Sequence, residues 1–533
     1  MDTRRTIIAI VLSFAVMFGW QQLSYFMGWI PEPAPEAPQQ MEQPAQAAPG
    51  EAQQPAPMIP LPTFTPAPGR DVVVETPLYR AVLHSGGGIL RDFSLKKFHV
   101  SLDSTSPLVQ MISPVAAAKA PMGIILDGHP SWSGTSWQLE GGDMNLAAGQ
   151  TGTLTFVGDV NGTRLQRELT FNADKYSITE KLSIVSPGAR NNARIAFTMN
   201  TGKLSADDNQ YDTMRVAYYL DGSFKEEGSE KTLKAGVESK GQFSWASAMS
   251  NYFLAAVSPM DTNATLKVKL EDGAYRVAVE KDNMTLAAGQ PATLAVSYFI
   301  GPKDQELLNA EPNDLGQALN YGMFSIVARP LLAILHFFYG LVGNYGVAII
   351  LLTIVVKAVL WPLSYKSYKS MEQMKKIQPM MAKLKEKHGD NKELLNQEMM
   401  QLYKTYKVNP ASGCLPILVQ LPVFIGLYQG LLGAVQLRHA SFINYLPFTD
   451  WVWLADLSVK DPYYITPLVM GGTMFLQQYM TPSAGDPTQQ KIMLLMPVVF
   501  TFMFINFPAG LVVYWLTNNV ISIAQQWWQL RRA

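Results

Sequence analysis

The sequence predicts a polytopic α-helical membrane protein with six transmembrane helices and a large antiparallel β-sandwich domain outside the membrane. Three observations support this prediction. Of the 533 residues, 48% are hydrophobic and only 16% are charged, whereas soluble proteins contain about 25% charged residues. Several apolar runs approach the roughly 20 residues that a bilayer span requires. Between residues 71 and 300, short alternating runs are separated by Gly, Asn and Asp turns, which is typical of antiparallel sheets.

The composition argues against several classes of protein. Cys414 is the single cysteine of the sequence, so an internal disulfide and a cysteine-rich metal site are excluded. Neither a Walker-type glycine loop nor an HExxH motif is present. We therefore expect no cofactor, no bound metal, no enzymatic activity and no direct DNA binding.

Residues 1–30 are predicted to form an uncleaved N-terminal transmembrane anchor. A signal sequence is the alternative, but no small-x-small cleavage pattern lies close to the apolar run. The apolar run at 6–20 follows Arg4 and Arg5, and basic residues beside a span favour the cytoplasmic side. The next segment, 31–69, is rich in Pro, Ala, Gln and Glu, a composition that predicts an extended linker without a core. The chain beyond it is therefore expected outside the cytoplasm, in the periplasm of a bacterium with two membranes.

Residues 70–304 are predicted to form the periplasmic β-sandwich. Runs such as DVVVET, TGTLTFVG and ATLKVKL alternate, and turn signals separate such runs at 85–88, 141–142, 160–162, 220–222 and 271–273. The histidines His84, His99 and His129 show neither metal-ligand spacing nor a recognisable catalytic triad. A binding or scaffolding role is favoured, and a membrane-anchored carbohydrate-active protein is the alternative.

Residues 305–341 are predicted to form a polar link followed by an amphipathic helix at the outer membrane surface. The segment YGMFSIVARPLLAILHFFYGLVGN is rich in aromatic residues and carries Arg329 and His336. A full membrane span is the alternative. One more crossing, however, would place the lysine-rich segment that follows on the wrong side of the membrane.

The helix predicted at 345–365 contains a lysine inside its apolar run. Lys357 lies seven residues before the polar flank at Ser364, which is roughly 10 Å of helix rise. An ammonium at that depth costs at least about 2–3 kcal/mol unless it finds water or a partner. Thr353 precedes Lys357 by one turn and shares its face. The two predict a polar cavity inside the protein; the alternative is that Lys357 only extends along its stem to the cytoplasmic headgroups.

The segment 366–409 is predicted to be a cytoplasmic helical hairpin with a coiled-coil seam. Apolar residues repeat every three or four positions on each side of HGDN at 388–391, namely Met374, Ile377, Met381, Leu384, Leu395, Met399, Leu402 and Tyr406. Its many lysines indicate the cytoplasmic side. They would form a solvated face near anionic lipid or a docking site for a partner or a nascent chain; the docking candidates are Lys375, Lys376, Lys383, Lys385 and Lys387.

Four more helices are predicted at 413–435, 462–480, 492–507 and 510–528, so that both chain ends lie in the cytoplasm. Their apolar runs carry polar side chains: Gln420, Gln477, Asn518 and Ser522, with Gln525 or Gln526 on the same face. Together with Lys357 and Thr353, these residues would line a wet groove. The alternative is ordinary interhelical hydrogen bonding, worth around 0.6 kcal/mol per contact.

Several long motifs carry a resemblance to a known family. They are ETPLYRAVLHSGGGILRDFSLKKF at 75–98, VNPASGCLPILVQLPVFIGLYQGL at 408–431, DPYYITPLVMGGTMFLQQYMTP at 461–482, DPTQQKIMLLMPVVFTFMF at 486–504 and FPAGLVVYWLTNN at 507–519. With these motifs the chain resembles the YidC/Oxa/Alb family of membrane-protein insertases, in its Gram-negative bacterial form. The resemblance runs nearly from end to end.

The resemblance implies a five-helix insertase core, here within 342–533, around a hydrophilic groove that opens to the cytoplasm and the lipid. It implies that Lys357 is the basic groove residue of the first core helix, and that Thr353, Trp515 and Gln477 match further groove positions. Many relatives carry arginine at this position. Lys357 keeps the positive charge but cannot form the bidentate hydrogen bonds of an arginine. The lysine-rich hairpin is similar to the mobile cytoplasmic hairpin that the family uses in substrate capture.

The resemblance further implies an insertase and chaperone of the bacterial inner membrane. Its expected partners are nascent membrane proteins, membrane lipids and the Sec translocon (SecYEG and SecDF). Some relatives have a long basic tail implicated in ribosome contact, whereas this sequence ends in Arg531, Arg532 and Ala533, so ribosome contact is expected to rely on the hairpin. A solute transporter that uses Lys357 is the alternative function, but the two related halves typical of transporters are not visible.

Overall fold

The computed structural model describes residue 64 and residues 69–531, except for 104, 134–135, 205–211, 260–262, 389–390, 407, 409–414 and 482–486. The predicted anchor at 1–30 and nearly all of the predicted linker at 31–69 lie outside the described residues. A β-rich region comes first in the described chain, and a helical region follows it.

The β-rich region contains strands β1 to β19, which confirms the predicted β domain. Their bounds are β1 Asp71–Glu75, β2 Tyr79–His84, β3 Ile89–His99, β4 Leu108–Gln110, β5 Ile124–Leu126, β6 His129–Pro130, β7 Trp137–Glu140, β8 Met144–Asn145, β9 Thr151–Val160, β10 Thr163–Asn172, β11 Ser177–Val185, β12 Arg190–Thr201, β13 Arg215–Leu220, β14 Ser223–Glu227, β15 Val237–Met249, β16 Phe253–Pro259, β17 Asn263–Glu271, β18 Ala274–Leu286 and β19 Pro291–Pro302.

Two-residue turns close three of the hairpins at predicted positions. They are Asn161–Gly162 between β9 and β10, Asp221–Gly222 between β13 and β14, and Asp272–Gly273 between β17 and β18, and every one of these six residues has a positive φ between 50° and 80°. A positive φ at both central residues defines the type I′ turn, whose twist matches that of paired strands. Asn, Asp and Gly tolerate this conformation best, which explains why the sequence showed these turns.

The strands form two sheets. One has the order β4-β3-β2-β1-β8, and the other has the order β6-β5-β12-β18-β17-β15-β16-β19-β11-β10-β9-β7, with the β13–β14 hairpin paired to β15. One strand pair departs from the predicted antiparallel arrangement, because β1 and β8 run parallel, with Val74 opposite Met144. A parallel pair requires a long crossover, and β2 to β7 supply it.

A fully buried ion pair lies within the larger sheet, and its arginine also contacts the β2–β3 turn of the smaller sheet. The guanidinium of Arg167 on β10 donates to both carboxylate oxygens of Glu180 on β11, at 2.6 and 2.9 Å, and both side chains are 0% exposed. Arg167 also donates to the carbonyls of Gly87, between β2 and β3, and Met122. Tyr298 of β19 donates to Glu180 at 3.0 Å; burial, with Glu180 beside it, holds the pKa of Tyr298 well above its ordinary value, so its hydroxyl keeps its proton.

The helical region is built from α4 to α10, and three short helices precede it. The bounds are α1 Pro114–Ala117, α2 Glu230–Ala235, α3 Gln305–Asn309, α4 Ser325–Val342, α5 Tyr345–His388, α6 Lys392–Thr405, α7 Leu415–Gly433, α8 Ile465–Met480, α9 Pro487–Phe504 and α10 Ala509–Leu530, with 3₁₀ helices at Leu315–Ala318, Gly322–Phe324 and Val435–Leu437. The largest difference from the four predicted C-terminal helices is at α9, which begins at residue 487 and not at 492.

By length and hydropathy, two helical segments of the described chain qualify as membrane spans, Gly322–Val342 and Tyr345–His388. Val419–Gly433 and Met493–Phe504 are apolar but shorter. Polar residues inside α8 and α10 lower the hydropathy of those two helices. The six-span arrangement therefore stays a prediction.

Helix α4 packs closely against α7 through two glycines. A Cβ atom added to Gly426 would lie 3.2 Å from the backbone nitrogen of Ala328, and one added to Gly430 would lie 3.1 Å from the side chain of Leu332. Two small residues four positions apart allow this close approach between helices. The opposite face of α4 leaves Ile326 88% exposed, and such an apolar face suits both the predicted interfacial position and the alternative full span.

Helix α5 continues without a break from the predicted span into the first arm of the predicted hairpin. The seam with α6 forms around buried Met374 and Ile377, against which Met381, Leu402 and Tyr403 pack. The prediction is wrong at Tyr406, which is 44% exposed. Since α6 ends at Thr405, the helical repeat stops there, and buried Val408 occupies the seam instead.

The loop between α7 and α8 contacts the β-rich domain. The amide of Gln436 donates to the Asp304 carboxylate at 2.5 Å. Arg438 donates to the carbonyl of Val100 at 2.9 Å, and its guanidinium lies 5.5 Å from the ring centroid of Phe253, within the range of a cation–π contact. These contacts attach the β domain to the helical region.

Candidate functional site

Lys357 is buried in the middle of the helical region. Its side chain is 8% exposed, and its ammonium donates to the hydroxyl of Ser522 on α10 at 2.7 Å. The Ser522 hydroxyl in turn donates to the carbonyl of Asn518 at 2.8 Å. In the described part of the chain, no carboxylate forms an ion pair with Lys357. A hydroxyl therefore solvates this charge without neutralising it.

Two further residues of α5 share this face. Thr353, one turn before Lys357, is fully buried and donates its hydroxyl to the carbonyl of Ile349 at 2.6 Å, so its polar group is satisfied within the helix. Tyr368 lies three turns after Lys357, and its hydroxyl faces Ser522 and Gln477. Tyr368 was not predicted, because a tyrosine near a cytoplasmic helix end reads as an ordinary interfacial residue.

Helix α10 joins the predicted polar residues of three other helices. The amide of Gln420 on α7 donates to the side-chain oxygen of Asn518. Asn519 donates to Thr473 of α8 at 3.3 Å, and Gln526 lies 3.5 Å from Thr481 at the end of α8. Five α10 side chains are each at most 6% exposed: Asn518, Asn519, Ser522, Gln525 and Gln526. We call these α10 residues, with Lys357, Thr353, Tyr368, Gln420 and Gln477, the polar cluster.

Trp515 lies beside the polar cluster and not within it. Its ring makes an edge contact with Phe424 at a centroid distance of 4.7 Å and lies 5.3 Å from Phe504. Phe500 also packs against it. Since Trp515 precedes Asn518 by three residues, it occupies the neighbouring turn of α10, where aromatic side chains of α7 and α9 meet.

The five predicted docking lysines lie on a different surface from the polar cluster. Lys375, Lys376, Lys383, Lys385 and Lys387 are all exposed on the C-terminal half of α5. The first of them follows Lys357 by 18 residues, which is about 27 Å of helix. Lys376 pairs with Glu372 at 2.9 Å. The structure therefore places the predicted polar residues in a cluster that is buried or half-buried, and the predicted docking lysines on an exposed surface.

The polar cluster offers hydrogen bonds and one positive charge to whatever enters it. Such a set can bind and orient polar groups in apolar surroundings. Over the residues that the structure describes, no group of three His, Cys, Asp or Glu side chains is placed to hold a metal. A cleft of about 170 Å³ in the β domain, beside Phe197, Val279 and Thr293, is smaller than the roughly 300–1,000 Å³ of most small-molecule sites.

Comparisons with known proteins cover both regions of the chain. A family model described as "YidC periplasmic domain" matches residues 71–334, and one described as "60Kd inner membrane protein" matches residues 337–533. The chain is 58% identical over 534 residues to a protein of Nitratidesulfovibrio vulgaris named "Membrane protein insertase YidC", and 52% identical over 535 residues to a protein of the same name from Lawsonia intracellularis. Each match covers 100% of both chains.

A solved structure described as "Active YidC insertase crystal structure with the first transmembrane domain resolved" is also similar. It is 19% identical to this chain, with a TM-score of 0.36, over 87% of this chain and 93% of the other. The sequence relatives are the stronger comparison, because they match at more than half of all positions along the full length.

Proposed function

The chain belongs to the YidC family of membrane protein insertases, and we propose that its polar cluster is where a segment undergoing insertion is held. The protein is an inner-membrane protein that inserts membrane proteins, a function that is not enzymatic. The observation that carries the proposal is the 2.7 Å hydrogen bond between Lys357 and Ser522 among apolar helices. Because intramembrane charge is costly, a buried lysine of this kind is by default a functional residue.

The proposed topology has six spans and both chain ends in the cytoplasm. The predicted N-terminal span would be followed by the periplasmic β domain and then by α5, α7, α8, α9 and α10. The exposed lysines after residue 366 support a cytoplasmic end for α5, and Arg531 supports one for α10. With this orientation, α4 lies on the periplasmic side, at the interface or as a tilted helix.

The mechanism follows from the cost of moving polar groups through hydrocarbon. Each backbone group without a partner costs several kcal/mol there, and a polar cluster partway across the membrane shortens the apolar path. An acidic group about 4 Å from Lys357 would gain up to about 4 kcal/mol at an effective dielectric constant of 20. The apolar helix of the substrate then enters the lipid sideways, at roughly 25 cal/mol per Å² of apolar area buried.

Entry of a substrate requires the helices around the cluster to separate, because its α10 side chains are almost fully buried. Among the residues described, the side-chain hydrogen bonds that connect α7 and α8 to α10 include those from Gln420 to Asn518 and from Asn519 to Thr473. A polar substrate segment can replace each of these bonds by one of its own. The exchange of hydrogen bonds then costs little, and the main cost of opening is the apolar packing lost between the helices.

The exposed lysines of the hairpin formed by α5 and α6 are proposed as the surface that meets partners in the cytoplasm. A cluster of positive charge attracts acidic polypeptide, anionic lipid or ribosomal RNA. The Sec translocon (SecYEG and SecDF) is the further partner that the family resemblance implies. Membrane lipids would contact the exposed apolar faces of α4 and α9, where Ile326 and Phe502 are 88% and 71% exposed.

The proposal is tested with the purified full-length protein in liposomes. Two membrane-protein substrates are synthesised outside, identical except that the translocated segment is acidic in one and neutral in the other, and protection of that segment from protease is measured. Lys357→Leu should reduce insertion of the acidic substrate at least about tenfold, a loss of about 1.4 kcal/mol, with a smaller effect on the neutral one. Lys225→Leu, an exposed lysine of β14, is the matched control. An equal loss for both substrates would contradict attraction by Lys357, and no insertion above that of empty liposomes would contradict autonomous insertion.

A further inference from the structure

A row of glutamines extends the polar cluster along α10 toward its C-terminal end. Gln525 and Gln526 follow Ser522 by three and four residues, and Gln529 lies one turn farther on. Gln525 and Gln526 are each 2% exposed. Beyond them, Trp361 of α5 and Trp528 of α10 pack with their ring centroids 6.0 Å apart. The glutamines therefore lie between Lys357 and the predicted cytoplasmic end of the helices.

These amides are buried without full hydrogen bonding. The side-chain nitrogens of Gln525 and Gln529 and the side-chain oxygen of Gln526 have no hydrogen-bond partner among the residues described. The nitrogen of Gln526 has one weak partner, the Thr481 hydroxyl at 3.5 Å. A buried polar atom without a partner destabilises a protein, so folding stability does not explain three such atoms in one row.

The free atoms match the chemistry of a polypeptide backbone. Gln525 and Gln529 offer N–H donors and Gln526 offers a carbonyl acceptor, which complement the C=O and N–H groups of a main chain. A segment that has not yet formed a helix carries both kinds of group unpaired, and in apolar surroundings each needs a partner. An anionic lipid headgroup would use only donors, whereas each glutamine amide offers a donor and an acceptor.

We propose that Gln525 and Gln526 bind the main chain of the inserting segment, whatever its side chains, while Lys357 responds to its charge. This inference rests on the proposed function of the polar cluster and adds a second determinant to it. Two such glutamines would allow substrates of different sequence to be inserted, because every residue except proline offers both a backbone N–H and a backbone C=O group. They would also hold the segment next to Lys357, one helical turn away.

The first experiment measures initial insertion rates of the full-length protein in liposomes with the acidic and neutral substrates described above. Methionine replaces glutamine in Gln525→Met and Gln526→Met, because it is unbranched, apolar and similar in size. The double variant should insert both substrates about tenfold more slowly. Gln429→Met on α7 is the matched control, since the Gln429 oxygen is also buried without a partner but lies beside Gly322, at the other end of the bundle.

Two further measurements separate backbone binding from a structural role. The thermal midpoint of the double variant in detergent should equal or exceed that of the wild type, because the substitutions remove polar atoms that lack partners. An amide-to-ester replacement, scanned through the translocated segment by suppression with an α-hydroxy acid, removes one N–H at a time. At the position that meets Gln526, the ester should slow insertion by the wild type but not by Gln526→Met.

Several outcomes would overturn the inference. They are wild-type rates in the double variant, a loss confined to the acidic substrate, a lowered thermal midpoint with an equal loss in Gln429→Met, and an ester effect that persists unchanged in Gln526→Met. Failure of the wild-type protein to insert either substrate above the level of empty liposomes would instead contradict the proposed function, and the inference with it. Normal wild-type insertion combined with any of the first four results would contradict the glutamine inference alone.

Discussion

Replacing Glu180 with glutamine would leave the guanidinium of Arg167 charged and buried. Arg167 is 0% exposed and donates at 2.9 Å to the oxygen of Glu180 that Tyr298 also contacts. Glutamine can accept from Arg167 through one atom only, and its amide nitrogen would face a donor. Removing one member of a buried pair costs about 3–5 kcal/mol, chiefly because the other charge stays without compensation. The free energy of unfolding of the β domain should fall by that amount.

Hydrogen exchange read by mass spectrometry on the full-length protein measures this loss locally. At about 1.36 kcal/mol per decade, exchange in peptides from β10, β11 and β19 should accelerate by about two to four orders of magnitude, while α5 and α10 stay unchanged. Glu280→Gln is the matched control, because its pair with Lys267 is of similar length, 2.9 Å against 2.6 Å, but its side chains are 16% and 26% exposed. Exposed pairs contribute about 0–1 kcal/mol. If Glu180→Gln changed exchange no more than Glu280→Gln does, the buried pair would not be a main source of stability for this part of the larger sheet.

Three further substitutions test other contacts. Gly430→Val should destabilise the packing of α4 on α7 by about 1–3 kcal/mol through overpacking and lower the thermal midpoint, because a Cβ atom at this position would already lie 3.1 Å from Leu332. Gly433→Val is the control, because a Cβ atom there meets nothing within 4 Å. Burial holds the pKa of Lys303 well below its ordinary value of 10.5. The unfolded chain therefore binds more protons than the folded one, and the free energy of unfolding should rise as pH increases toward 10.5. Lys303→Met should flatten that rise, and an unchanged pH profile in this variant would contradict the role of Lys303. Arg438→Ala removes a hydrogen bond to the β3–β4 turn and should broaden the distribution of spin-label distances between the β domain and α8. An unchanged distribution would show that the other loop contacts are enough to hold the β domain in place.

The sequence predicted those features that depend on local chemistry. Asn-Gly and Asp-Gly turns were visible because few other residues adopt positive φ at both turn positions. Lys357 was visible because a charge inside an apolar run is rare, and Asn518 and Ser522 because polar residues four apart share one helix face. In each case a few neighbouring residues contained the whole signal.

The features that the sequence did not show depend on residues far apart in the chain. An arginine in an alternating strand such as β10 reads as a surface residue, and its burial depends on Glu180, Gly87 and Met122 meeting it in the fold. Tyr368 joins the polar cluster only because α5 and α10 lie side by side. The hydroxyls of Thr473 on α8 and of Thr481 just after it contact α10 for the same reason, because α8 also lies beside α10.

Because α5 is one continuous helix, a movement at the tip of the hairpin can be transmitted to the level of Lys357. Its 44 residues measure about 66 Å, and residue 388 lies about 46 Å from Lys357 along the axis. A tilt of α5 about the level of Lys357 would therefore move the tip of the hairpin far more than the ammonium. We therefore expect a partner that binds the tip to apply a large torque to α5 relative to α10. Pro362, five residues beyond Lys357, has no backbone N–H and removes one hydrogen bond from α5. We expect α5 to bend most readily at this position.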